Sequence, residues 1–159
     1  MLNELRSIQI TILFLISLAH FQVVLAQQQI TEEKAVAERT LLLINNYRQS
    51  KGLKALVPLP VIYEECLKHC YDMAEIGNIS HDGFDKRMRN IGKSVRFGGS
   101  GENVAYNSNQ HDPALSAFKQ WVGSRGHHQN MLGKYTHTGL AVVKSKDEYY
   151  FTQIFIKMF

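Results

Sequence analysis

The stretch that most constrains the fold is the last one, YYFTQIFIKMF, residues 149–159. Aromatic and β-branched side chains occupy both alternating sets of positions, so the segment reads as a strand that is apolar on both faces. Such a strand needs cover on both sides. THTGLAVVKS (136–145) reads as its neighbour, joined to it through the polar turn KSKDE. Upstream of these two strands the periodicity is helical, so the cover must be helical too. Thr31 followed by Glu32 and Glu33 predicts a helix start, with Val36, Leu43, Ile44 and Tyr47 as its apolar stripe to about Arg48. A second helix is predicted from about Leu59 to Glu75, with Ile62, Cys66, Cys70 and Met73 on one face and Gly77 as its stop. A short helix is expected around Asp85 to Asn90. Asp112-Pro113 then caps and opens another, which points Leu115, Phe118, Trp121 and Val122 inward until GSRGHHQNMLG breaks it. RFGGSGENVAYN (96–107) carries three glycines and reads as a loop. Helices segregated around a small antiparallel sheet make the expected class α+β.

A chain of 159 residues, 45% of them hydrophobic, is long enough for one domain with a real core. Its net charge of +4 is a mild excess. With no basic run and no basic–aromatic stripe, nucleic acid is not an implied partner. Residues 1–26, MLNELRSIQITILFLISLAHFQVVLA, read as a signal peptide: Arg6 precedes an apolar run, and Val24 and Ala26 suit the positions before a cleavage site. His20 and Gln22 interrupt that run and argue against a retained membrane anchor. The expectation is a secreted, extracellular domain of residues 27–159 with no membrane span of its own. Cys66 and Cys70 lie four apart on one helix face, where a bridge would distort the helix, so they are expected as buried thiols. Asn78-Ile79-Ser80 is a glycosylation sequon if the host uses one.

Three polar segments stand out: SHDGF with His81, GENVAY with Glu102, and WVGSRGHHQNML with Ser124, His127 and His128. Together with NNYRQSKGLKAL, DMAEIGNISHDGF, HTGLAVV and YYFTQIF, in that chain order, they resemble the CAP superfamily. This family comprises the cysteine-rich secretory, antigen 5 and pathogenesis-related 1 proteins, also called SCP-like domains. The resemblance covers nearly all of residues 35–156 and is to a compact, cysteine-poor branch of the kind found in bacteria. It implies an α-β-α sandwich whose cleft holds two histidines and two acids. His81, Glu102 and His127 match three of these, and Ser124 stands where the second acid would be.

Two imidazoles and a carboxylate can ligate zinc or another divalent metal and leave a position for water. Glu102 could instead lie behind an imidazole and fix its tautomer, or all three groups could form a polar network that only shapes the fold. Ser124, His127 and Glu102 are the residue types of a hydrolase triad. No Gly-x-Ser-x-Gly elbow and no His-Glu-x-x-His motif accompany them. The leading expectation is therefore a non-enzymatic binding module. The family also suggests lipid or sterol binding, defence roles or an extracellular protein partner, and Leu53, Leu56, Val57 and Leu59 are the apolar candidates for a lipid groove. The same four fit better a proline-bracketed connector packed on the core. His127 is expected in the cleft, with His128 on the surface, His69 structural, His137 half-exposed on a strand and Trp121 in the core. Asn103 is expected to tie down its own loop.

Overall fold

The computed structural model describes residues 2–159, with side chains from residue 15 onward. In chain order the elements are α1 (Leu2–Ser50), β1 (Val57–Pro58), α2 (Pro60–Ile76), α3 (Phe84–Gly92), β2 (Phe97–Asn107), α4 (Pro113–Gly123), α5 (Arg125–Met131), β3 (His137–Ser145) and β4 (Glu148–Met158). The chain divides into two compact units, 1–32 and 33–159. Thr31 starts no helix, because α1 is already running there. Part of the expected signal peptide, side chains 1–14, lies outside the described residues. Among the described residues no helix is long and apolar enough to cross a membrane.

Residues 33–159 form the expected α+β sandwich. The sheet has four strands in the order β1-β3-β4-β2 and is mixed, since β1 runs parallel to β3 while the other pairs are antiparallel. β4 is central, as its two apolar faces require. Tyr149, Phe151 and Phe155 pack with Ala37 and Ile44 of α1, Ala117 and Trp121 of α4, and Met131 of α5. Tyr150, Ile154 and Ile156 pack on the other face with Ile62, Cys66, Cys70 and Met73 of α2 and with Met88 and Ile91 of α3. Cys66 and Cys70 are unbridged and buried. Their thiols donate to the carbonyls of Gly139 and Ala141, and the Thr152 hydroxyl lies 3.2 Å from Cys70 Sγ. At Gly139 the backbone of α2 presses on β3: a Cβ there would strike the Tyr63 nitrogen and the Ile62 carbonyl carbon.

The glycine-rich segment is a strand, not a loop. β2 pairs with β4 from Phe97↔Met158 to Asn107↔Tyr149, with a bulge between Phe97 and Ser100. Its outer edge is capped by side chains rather than by another strand. The carbonyls of Ser100, Glu102, Val104 and Tyr106 accept from Tyr135 Oη, Asn130 Nδ2, Trp121 Nε1 and Gln120 Nε2. Each of these alternate carbonyls is thereby satisfied, which blunts the edge as a template for another chain. At position 101 a Cβ would stand 2.8 Å from Tyr135 Oη and 2.9 Å from Asn130 Oδ1, so a side chain there would displace two of these caps. The expected break after α4 is a single extended residue, Ser124 (φ −97°, ψ 120°), after which α5 begins.

Candidate functional site

Glu102 sits on β2 with its side chain almost completely buried, and a buried carboxylate needs partners. It has two. Arg87, from α3, donates Nε to Oε2 and Nη2 to Oε1, both at 2.8 Å, in a fork that matches the carboxylate geometry. His81, from the loop before α3, places Nδ1 2.9 Å from Oε1. A carboxylate that already accepts from a guanidinium can only accept, so Nδ1 must carry the proton and donate. That leaves the His81 Nε2 lone pair as the free ring position on a side chain that is 54% exposed. Arg87 Nη1 also donates to the Asp82 carbonyl at 2.7 Å, tying the loop that carries His81 to the same guanidinium.

His127 comes from α5 to face His81. Its ring centroid lies 6.3 Å from that of His81, with the planes tilted by 50°. Burial, with the His81 ring beside it, pushes the His127 imidazole below its ordinary pKa, so it is neutral near pH 7. Asn103 holds α5 in place: its Nδ2 donates to the His127 carbonyl and its Oδ1 accepts from Asn130. The expectation that Asn103 ties its own loop is corrected accordingly, since it ties β2 to α5. His128 is half-buried, with Nε2 2.9 Å from Tyr47 Oη, so it is a packing residue of α5 and α1 and not a surface one. His69 is buried, and its Nε2 lies 2.6 Å from the Ser80 carbonyl oxygen.

The three expected metal ligands do not converge as a set. Both oxygens of Glu102 are taken by Arg87, and a cation brought to them would meet a guanidinium. Among the described residues no group of three His, Cys, Asp or Glu side chains is placed to hold a metal ion. Two imidazoles on one tetrahedral zinc, at Zn–N of about 2.0 Å, would bring their centroids to about 5.2 Å. The 6.3 Å seen between His81 and His127 is wider. What the chain presents is a pair of imidazoles with Glu102 behind one of them. The hydrolase set is not assembled either: Glu102 bonds His81 and not His127, and Ser124 Oγ has no hydrogen bond among the described residues. The four lipid-groove candidates separate. Leu56 is in the core and Leu59 packs against the α2 layer, while Leu53 and Val57 line a surface groove.

Arg87 is the site residue that sequence reasoning missed. Its signal is positional: Phe84, Met88 and Ile91 make the inward stripe of α3, and Arg87 falls on that stripe. A charged side chain inside an apolar stripe calls for a buried partner of opposite sign.

An α-β-α sandwich with two facing histidines, one of them bonded to a buried acid, is the arrangement of a CAP-type domain. The family model of the cysteine-rich secretory protein family (CAP) matches residues 41–155, and the chain belongs to that family. No curated protein matches it. Among solved structures it is similar to an extracellular SCP-domain protein of Bacillus anthracis, with 27% identity and a TM-score of 0.67 over 79% of this chain and 41% of that one. An outer surface protein of Borrelia burgdorferi shares the fold at 18% identity and a TM-score of 0.68, covering 79% and 95%. A cysteine-rich secretory protein of Staphylococcus aureus does so at 21% identity and a TM-score of 0.62, covering 79% and 39%. The chain thus spans about two fifths of the Bacillus and Staphylococcus proteins.

Proposed function

We propose that the protein is a secreted binding module that acts without catalysis and binds through the paired imidazoles of His81 and His127. The observation that carries this reading is the Arg87–Glu102–His81 chain of hydrogen bonds. It fixes His81 with Nδ1 toward the protein and Nε2 toward the cleft, opposite a neutral His127 ring that makes no hydrogen bond among the described residues. With His81 Nδ1–H engaged by Glu102, the two rings offer their remaining nitrogens as donors and acceptors, which suits a small ligand bearing hydroxyl or amide groups. A carboxylate behind an imidazole is also the arrangement that orients a metal ligand. That favours, as a second reading, a divalent ion such as zinc drawing the His81 and His127 rings from 6.3 Å to about 5.2 Å, with Glu102 as support and not as ligand.

Zinc serves as the probe of the pair. Structural zinc with four protein ligands binds with about 10–16 kcal/mol, and half the ligands at about half that energy gives a Kd on the order of 1–200 µM. Calorimetric titration of the full chain is expected to show binding in that range, lost in His81→Ala and in His127→Ala. Binding unchanged in both variants, or no heat at millimolar zinc, would overturn the paired-imidazole reading. Ester or peptide hydrolysis abolished by Ser124→Ala would replace it with an enzyme.

Secretion rests on the composition of residues 1–26 and on the extracellular and outer-surface descriptions of the similar proteins. Protein recovered outside the producing cell should begin at Gln27. An N-terminus at Met1 in that fraction would refute cleavage.

A further inference from the structure

Away from the cleft, Arg48 is an unusual residue. Its side chain is buried at 2% exposure, and all its partners are backbone carbonyls: Nε donates to Lys54, Nη1 to Met131 and Gly133, and Nη2 to Tyr135. The guanidinium thereby stitches the segment after α1 to the segment before β3. No carboxylate faces it among the described residues. Burial without an opposite charge nearby pushes its pKa below the ordinary arginine value. Four of its five N–H groups are used, and the fifth, on Nη2, has no protein acceptor among the described residues.

Between the two stitched segments lies a groove of ≈ 330 Å³, lined by Arg48 itself, by the apolar parts of Leu53, Val57 and Tyr135, and by Lys54 and Lys134. That volume is at the lower end for small-molecule sites. No aspartate or glutamate lines it, and neither lysine makes an ion pair among the described residues. Apolar walls under three uncompensated positive charges are complementary to one ligand class.

We propose that this groove binds a compact organic anion, with a carboxylate or phosphate group held by Lys54 and Lys134 beside Arg48 and a ring or branched apolar body against Leu53, Val57 and Tyr135. The charged end sees one buried and two exposed cations, and charge-assisted hydrogen bonds to them are the strong kind. The apolar body removes Val57, which is 52% exposed, from water. Binding here is independent of His81 and His127.

Amide spectra of the ¹⁵N-labelled full chain test this with phenyl phosphate and benzoate as anionic probes, benzyl alcohol as the uncharged ring and inorganic phosphate as the anion alone. At least one anionic probe should shift Val57, Thr136 and His137 saturably, with each control about tenfold weaker or more. Which anionic probe is tighter assigns phosphate ester or carboxylate. Substituting Arg48 would unstitch the two segments, so the variant is Lys54→Gln/Lys134→Gln, whose two side chains are exposed and leave the fold intact. It should weaken the anionic probe about tenfold while leaving benzyl alcohol unaffected. Benzyl alcohol as tight as the anions, unchanged binding by the double variant, or shifts spread to Lys86 and Lys93 would each overturn the proposal.

Discussion

Replacing Arg87 with methionine keeps the aliphatic volume of the side chain and removes the charge that faces Glu102. The carboxylate is then left with a side-chain exposure of 2% and only the His81 Nδ1 bond. Removing one partner of a buried ion pair costs about 3–5 kcal/mol, because the remaining charge is neither solvated nor paired. Against a total stability of about 5–15 kcal/mol that is a large fraction. At about 3–5 °C per kcal/mol for a unit of this size, it lowers Tm by about 10–20 °C. Replacing both residues, Arg87→Met with Glu102→Leu, removes the pair together and should cost less than the sum of the single changes by about 2–4 kcal/mol. Urea unfolding followed by the fluorescence of Trp121, the single and fully buried tryptophan, reads all four corners of the cycle. A loss below about 1 kcal/mol for Arg87→Met, or strict additivity in the double variant, would refute the argument that Arg87 holds Glu102.

The other predictions are more local. His69 and His127 both have pKa values depressed by burial, so below the unfolded value of 6.5 the unfolded chain takes up protons that the folded chain refuses. Stability is therefore full above pH 6.5 and falls as pH drops below it, and His69→Gln should flatten that decline in pH-dependent urea melts. A decline equally steep in the variant would assign the pH dependence elsewhere. Burial pushes the Cys66 thiol well above its usual pKa and Cys70 up to about 12. Neither should react with a thiol reagent at pH 8 in the native state, and both should react in urea. Gly139→Ala drives a methyl into the backbone of α2 at Ile62 and Tyr63, and should cost about 3 kcal/mol or more in the same urea assay.

Much of the site was legible because its residues belong to short motifs with fixed order. His81, Glu102 and His127 were all named from sequence, and the structure places the first two in contact and the third across the cleft. Their roles were less legible, because a role depends on who else arrives. Arg87 arrives from α3 through a helix-periodicity argument that a run of charges, DKRMR, conceals. It converts Glu102 from a candidate ligand into the support of an imidazole. The terminal strands were readable from β-branched and aromatic side chains on both faces. β2 was not, because Gly98, Gly99 and Gly101 read as a loop and its inward residues include the polar Glu102 and Asn103. β1 has two residues, too few for any period, and α5, RGHHQNM, has a single buried apolar residue to mark a face. Arg48 looked like a helix-end cation; only the tertiary fold brings four carbonyls to it.

The central claim is that Glu102, anchored by Arg87, accepts a hydrogen bond from His81 Nδ1–H and leaves Nε2 facing His127. Long-range ¹⁵N–¹H correlation spectra of the imidazoles read that directly at pH 7.5. The account predicts His81 as the Nδ1–H tautomer, with a bare Nε2, and loss of this preference in Glu102→Gln. His81 found with its proton on Nε2, or as an even mixture of tautomers insensitive to Glu102, would contradict it.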